Sequence, residues 1–376
     1  MSREHKTTMA NVAAAAKVHV STVSLGLRNS PLLPEATRAR IRAAATKLGY
    51  RPDPLVSALM RRRRTGRKAE SDAVLAFVTA FPSREGWRKT SPAFGGYFKG
   101  ARHRAEEMGY RLEEFWLPPE GMSHERFSGV LFHRRIHGIL LAPLPNPAQP
   151  LNLAWNHFSV VALGLTHWRQ SLHSITHDHY HAMLTAMDRC HALGYRRIGL
   201  AVSKLAHSKV EGIWLAAYLL KCRDLALGNA PPPLVAETWK EEIVQSWYRR
   251  HRPDAIISTN PLDLSVWLEH WGLRPPHDLG LVNLNGTRPG EPVSSVLQSS
   301  EIIGARAIDL LVGGIEHNER GVPVLPSTML VPGRWNEGQT LRQQMEAPPQ
   351  RAFGKNSQPG TQGVGTNAHD PKYTSK

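Results

Sequence analysis

Residues 18–28, VHVSTVSLGLR, set hydroxyl side chains among valines: Ser21, Thr22 and Ser24 around Val20 and Val23, with Arg28 closing the run. Small hydroxyls can donate or accept a hydrogen bond and can approach base edges and phosphates closely. A core helix would not carry three of them, and a strand would not run on into Leu25-Gly26-Leu27. A second stretch, LVSALMRRRR at 55–64, puts barely two apolar helical turns before four arginines. A helix that short is not stable alone in water. It reads as a piece that folds against DNA, an apolar side chain entering the minor groove and Arg61 to Arg64 meeting phosphates. A third, HDHYH at 177–181, has a His-x-His spacing beside a carboxylate, a weak metal signal. Between a strand and a helix, Asp178 makes a good N-cap instead, and neither metal nor cofactor is expected. No Gly-x-Ser-x-Gly, phosphate-binding or dinucleotide-binding glycine motif occurs. Glu113-Glu114 and Glu241-Glu242 read as surface charge, so nothing points to an enzyme.

Charge sharpens the first reading. The 376-residue chain carries a formal +16, and residues 1–68 alone hold fifteen Lys/Arg against three Asp/Glu. Three quarters of the excess therefore lies in the first fifth of the chain, the footprint of a nucleic-acid-binding module on a near-neutral body. At 41% hydrophobic residues the body can bury a sizeable core. There is no apolar run of about 18 residues, the first residues lack an apolar signal core, and Cys190 and Cys222 make no disulfide framework. A cytoplasmic protein without membrane contact is expected.

These side chains need helices to hold them. Thr8 can cap a helix from Met9 whose inner face is Val12, Ala13 and Ala16. Lys17-Val18-His19 is a turn. A second helix from Val20 to Arg28 turns Val23 and Leu27 inward, leaving Ser21, Thr22, Ser24 and Leu25 outward. Pro34 suits the first turn of a third helix, Glu35 to Leu48, with Ile41, Ala44, Ala45 and Leu48 inward and Arg38, Arg40, Arg42 and Lys47 outward. This is helix-turn-helix text, its second helix short enough for the major groove.

The segment TMANVAAAAKVHVSTVSLGLRNSP, followed by LPEATRARIRAAATKLGYRPDPLVSALM, resembles the DNA-binding headpiece of the lactose/galactose repressor (LacI/GalR) family. The resemblance rests on Val12-Ala13, the Val20 to Ser24 run, Thr37-Arg38, Leu48-Gly49-Tyr50-x-Pro52 and a hinge ending at Leu59. It implies that Val20 and Ser21 open the recognition helix and face bases. Leu25 takes a third base-reading position often filled by arginine. Leu59 wedges into a central minor-groove step, and Thr8, Thr22, Ser24, Arg28, Arg61 and Arg62 join the DNA-binding set. The sequence departs at Lys17, where glycine is usual, and at His19, where serine is usual.

From residue 73 apolar strand text alternates with helical text, implying parallel sheets covered by helices on both faces. Two such runs suggest two lobes with a cleft at the carboxyl ends of the strands. The resemblance continues here and implies a periplasmic-binding-protein-like effector domain. The expected organisation is a small all-α helix-turn-helix headpiece (1–51), a hinge helix and linker (52–68), and a two-lobed α/β body with parallel sheets. Lobe 1 would be 73–174 with 296–324 returning, and lobe 2 would be 175–295 with 325–339 returning. A tail, 340–376, is rich in Gly, Pro, Ser, Thr, Asn and Gln and reads as disordered. By family position Lys209, Trp239, Asn260 and Asn285 would hold the effector. Three also have a structural reading: Lys209 as a solvated helix start, Trp239 as packing between helices, Asn260 as a helix cap. The expected function is a regulator, a repressor by the resemblance, that binds double-stranded operator DNA as a homodimer and answers to a sugar-like effector. The alternative is a small-molecule-binding protein whose headpiece no longer regulates specific genes.

Overall fold

The computed structural model describes residues 7–27, 30, 32–50, 73–147, 151–166 and 171–344. Arg28, the hinge with Leu59, Arg61 and Arg62, and the tail beyond 344 lie outside the described residues.

In the headpiece, α1 (Met9–Ala16) starts at the expected cap. Thr8 Oγ1 accepts from the Asn11 backbone N–H at 3.5 Å, and Asn11 Oδ1 accepts from the Thr8 N–H at 2.8 Å. The helix closes on Lys17, whose φ of 51° lies in the left-handed region. Glycine occupies that region without strain, and a side chain there costs about 1–2 kcal/mol. The departure at residue 17 thus falls where the backbone turns. Arg40 Nε donates to the Ala16 carbonyl at 3.2 Å and satisfies one C-terminal group of α1. After α2 (Val20–Leu27) comes α3 (Glu35–Lys47), and Val12, Ala13, Ala16, Val23, Ile41 and Ala45 form the core between the three helices. Two details correct the sequence reading. Pro34 is the N-cap of α3 and not part of its first turn, and Leu48, the C-cap, is 37% exposed.

The first lobe of the body holds β1 (Val74–Thr79), α4 (Gly86–Thr90), α5 (Pro92–Glu107), β2 (Arg111–Trp116), α6 (His124–His133), β3 (Gly138–Leu141), β4 (Ser159–Leu163) and β5 (His173–His177). The second holds α7 (His179–Ala192), β6 (Ile198–Ser203), α8 (Lys204–Lys209), α9 (Ile213–Asp224), β7 (Leu234–Ala236), α10 (Glu241–His251), β8 (Ala255–Ser258), α11 (Pro261–His270), β9 (Gly280–Gly286) and β10 (Ser294–Leu297). Then α12 (Ser300–His317) and β11 (Thr328–Val331) return to the first lobe, and β12 (Arg334–Asn336) to the second. The first sheet has the order β11-β5-β4-β3-β1-β2, all parallel. The second has the order β12-β10-β9-β8-β6-β7, parallel except for β12. The central strands are buried almost throughout, as parallel sheets covered on both faces must be, while the edge strands β11, β2, β12 and β7 are partly open.

This connectivity moves four expected boundaries. β5 runs to His177, so lobe 1 extends past 174. β10 belongs to the second sheet, so the return to lobe 1 begins with α12 at 300 and not at 296. β11 pairs with β5, so lobe 2 resumes at β12 and not at 325. Residues 340–344 are not part of a loose tail. Leu341 is buried in the second core, and the Gln344 N–H donates to the Leu193 carbonyl at 2.7 Å. Short strands that switch lobes carry the same apolar text in either sheet, which is why the sequence left these edges open.

The chain passes between the lobes after β5, after β10 and after β11. Each time it leaves a strand at its carboxyl end. Because β12 runs antiparallel to β10, with Arg334 opposite Leu297, it too starts at that edge. The two sheets therefore face one another across their carboxyl edges. α12 is fastened to α5 by close backbone approach. A Cβ on Gly100 would lie 1.9 Å from the Glu301 carbonyl oxygen, and one on Gly304 would lie 2.0 Å from that of Tyr97.

Candidate nucleic-acid interface and effector cleft

The face expected to meet DNA is open in the headpiece. Thr8, Val20 and Ser21 are exposed, Val20 by 37%, while Thr22, Ser24 and Leu25 are half-buried on the flanks of α2. Val23 and Gly26 turn inward against α3. The start of α2 holds a residue that sequence reasoning noted only as the end of a turn and a departure from the usual serine. The His19 carbonyl accepts from the Thr22 and Val23 N–H groups at 2.9 and 3.1 Å, which makes His19 the N-cap. Its Nδ1 accepts from the Ser21 backbone N–H at 3.3 Å and lies 2.8 Å from Ser21 Oγ. An unprotonated imidazole nitrogen can accept like a serine hydroxyl, and that was the signal available in the sequence.

The four cleft candidates each follow or end a strand of the second lobe, Lys209 at the far end of the helix after β6. Lys209 ends α8, Trp239 follows β7, Asn260 follows β8 and Asn285 lies in the last turn of pleat of β9, all at or beyond the carboxyl ends of second-lobe strands. Lys209 is half-buried, burial lowers its pKa below the ordinary lysine value, and it has no carboxylate partner among the described residues. Its reading as a freely solvated helix start therefore fails. Trp239 is half-buried, donates from Nε1 to Asp263 Oδ2 at 3.0 Å and lies 5.5 Å from the Trp267 ring, so packing fixes its plane. Asn260 stands at the N-cap of α11 without a side-chain capping bond; its Oδ1 accepts from Thr259 Oγ1 at 2.9 Å. Asn285 Oδ1 accepts from Gln298 Nε2 at 2.6 Å, and Gln298, 6% exposed, sits on the second passage between lobes.

Sequence reasoning proposed nothing on the first-lobe side, and it read His177 and His179, around the first passage, only as a weak metal signal beside a helix cap. Asp178 caps α7 as expected, accepting from the His181 N–H at 3.0 Å. His177 ends β5 fully buried, and His179 opens α7. Their rings meet edge to face at 5.1 Å, and His179 meets Trp214 of α9 the same way at 5.1 Å. Nδ1 of His179 and Nε1 of Trp214 have no hydrogen-bond partner among the described residues. Burial pushes His177 from 6.5 down to about 4, an effect that the Asp178 charge and the Val331 backbone oppose only in part. His179 is likewise held well below its ordinary value by burial and by its neighbour His177. The helical stripe His179, Ala182, Met183, Ala186 and Met187 was the legible sign that the second histidine faces inward. A surface cavity of ≈ 400 Å³, lined by Ser159, His173, Leu310, His317 and Val324 among others, lies at the opposite, amino-terminal ends of β4 and β5 and is not part of the cleft.

Known proteins resemble both parts. The family description "Bacterial regulatory proteins, lacI family" matches residues 8–53, and "Periplasmic binding protein-like domain" matches residues 187–340. No curated protein sequence matches the chain. Among solved structures, a transcriptional regulator CelR–cellobiose complex aligns at 20% identity, covering 89% of this chain and 99% of that one, with a TM-score of 0.56. The lac repressor dimer bound to operator and the anti-inducer ONPF aligns at 18% identity over the same shares, with a TM-score of 0.55. A regulator from Weissella paramesenteroides with bound glucose aligns at 15% identity, covering 72% and 98%, with a TM-score of 0.54. At these identities the solved structures establish the fold. The two matched segments hold its headpiece and its second lobe: the chain carries a lacI-family DNA-binding domain followed by a periplasmic-binding-protein-like domain, in the fold shared by these solved regulators.

Proposed function

We propose that this regulator is a repressor that binds a pseudo-palindromic operator as a homodimer in the cytoplasm, on the nucleoid, and that a sugar-like metabolite in the cleft controls it. The observation that carries the reading is the exposed start of α2, Val20 and Ser21, on a headpiece region holding fifteen basic and three acidic residues. Affinity comes from phosphate contacts, including Arg61 and Arg62 of the hinge. Specificity comes from Val20, Ser21 and Leu25 and from bending at the step entered by Leu59, with Thr8, Thr22, Ser24 and Arg28 fixing the helix on the backbone. The solved relatives with cellobiose, glucose and operator DNA support a sugar in the cleft and a duplex at the headpiece. Lys209, Trp239, Asn260 and Asn285 supply a cation, a stacking face and two amides, the groups that recognise a hydroxylated ring. The test has two arms. Mapping DNA bound by the full chain across the source genome should return one pseudo-palindromic motif. A panel of sugars, sugar acids and phosphosugars should contain one that releases the protein from that motif. Binding that follows only local DNA charge, with no motif, would leave a ligand-binding protein whose headpiece no longer selects genes.

A further inference from the structure

The contact between His19 and Ser21 constrains more than the helix start. A backbone N–H can only donate. The Ser21 N–H, aimed at His19 Nδ1 at 3.3 Å, therefore requires a lone pair on Nδ1, which places the imidazole proton on Nε2. The same Nδ1 lies 2.8 Å from Ser21 Oγ. With a lone pair on Nδ1, the hydrogen in that second contact must be the serine's own. Ser21 Oγ then has no hydrogen left to offer outward and presents lone pairs alone. A serine is ordinarily indifferent at a base edge, since it can donate or accept. Here its choice is made before DNA arrives.

We propose that His19 sets the hydrogen-bonding polarity of Ser21, turning the hydroxyl into an acceptor that selects an exocyclic amino group, adenine N6 or cytosine N4, in the major groove. This rests on the reading of Ser21 as a base-facing residue. His19 is a positioning residue: it need not touch DNA, and it acts through the hydroxyl it holds. Thymine and guanine show only acceptors at the corresponding edge, O4 for thymine and N7 with O6 for guanine, and an acceptor-only Oγ meets them with repulsion. One neutral hydrogen bond is worth about 0.5–1.5 kcal/mol net, so the preference at that base pair is about two- to tenfold.

The experiment is selection from a random-sequence duplex pool by the full-length protein and four variants, with non-specific DNA binding of each variant as the check that its headpiece is folded. The parent should select adenine or cytosine at one position of each half-site, and Ser21→Ala should lose that preference and no other. His19→Ala frees the hydroxyl and should flatten the same position about two- to tenfold. His19→Asp, another acceptor-only cap, should restore adenine or cytosine. His19→Lys, a donor, should move the preference toward guanine or thymine. If Ser21→Ala changes nothing, Ser21 does not read a base, and the underlying reading falls. If Ser21→Ala flattens the position but His19→Ala leaves it intact, or the parent selects guanine or thymine there, Ser21 reads the base and the control by His19 is overturned.

Discussion

Replacing His177 with leucine should make the body of the protein less sensitive to acid. The imidazole ends β5 fully buried, and burial moves its pKa from 6.5 to about 4. The unfolded chain takes up this proton near pH 6.5 and the folded chain only near pH 4. Between those values the unfolded state binds more protons, so stability falls as pH falls. The contribution is fully present above pH 6.5 and fully lost below about 4. At 1.36 kcal/mol per pKa unit the whole effect is about 3 kcal/mol, of which about 2 kcal/mol is lost by pH 5. His179 is displaced the same way and adds to the slope of the parent. His177→Leu keeps a similar volume and removes the buried nitrogens, so it should cost little at pH 7. Urea unfolding followed by tryptophan fluorescence at pH 7, 6 and 5 measures the difference. The parent should lose about 2 kcal/mol more than the variant between pH 7 and 5. Equal losses in the two proteins would refute the argument that burial holds His177 neutral.

Other expectations concern the DNA and the ligand. Leu59→Ala should weaken operator binding by about 1–3 kcal/mol, the size of one mismatched base pair, and should remove most DNA bending in a permuted-fragment gel assay. Replacing Arg61 to Arg64 by alanine should flatten the slope of log affinity against log salt by about three to four units if all four meet phosphates, and an unchanged slope would make them a tether only. In thermal unfolding, Trp239→Ala and Asn285→Ala should each reduce the stabilisation given by the best sugar of the panel while leaving operator binding of the free protein intact; a shift as large as the parent's would place the effector elsewhere. Thr8→Ala should cost the headpiece about 1 kcal/mol, read from its melting curve, because it removes one half of the capping box.

Legibility followed the length scale of each signal. The helix-turn-helix segment could be read almost residue by residue, because its caps and apolar faces are local: Thr8, Val12, Ala16, Val23 and Ile41 all lie where periodicity put them. The two parallel sheets were legible from alternation alone. What escaped was non-local. β11 and β12 are four and three residues long, and only pairing with β5 and β10 decides their lobes. Leu341 looked like the start of a polar tail until Thr340 was seen to join β9 and β10, accepting from the Ser294 N–H and donating to the Leu281 carbonyl. In the cleft, the residue types were visible but their commitments were not. Trp239 is tied to Asp263 and Asn285 to Gln298, contacts 24 and 13 residues apart that no spacing rule encodes.

The Asn285 contact bears on how a ligand could be felt at the headpiece. Asn285 lies at the carboxyl end of β9, where the effector is proposed to bind, and Gln298 sits on the passage that leads into α12. α12 is locked to α5 of the first lobe by the backbone approaches at Gly100 and Gly304, too close to slide without unpacking. A ligand hydroxyl that takes over Asn285 Oδ1 must displace Gln298, and whatever displaces Gln298 acts at the root of α12. Yet one hydrogen bond is worth about 0.5–1.5 kcal/mol, whereas moving a two-state equilibrium from 1:99 to 99:1 takes about 5.5 kcal/mol of differential affinity. The Asn285–Gln298 bond can bias the lobes but cannot switch them alone. The remainder has to come from groups that meet the ligand in only one lobe arrangement. In the proposed site Lys209, half-buried and without a carboxylate among the described residues, would supply part of it, because a charged hydrogen bond made there carries about twice the energy of a neutral one.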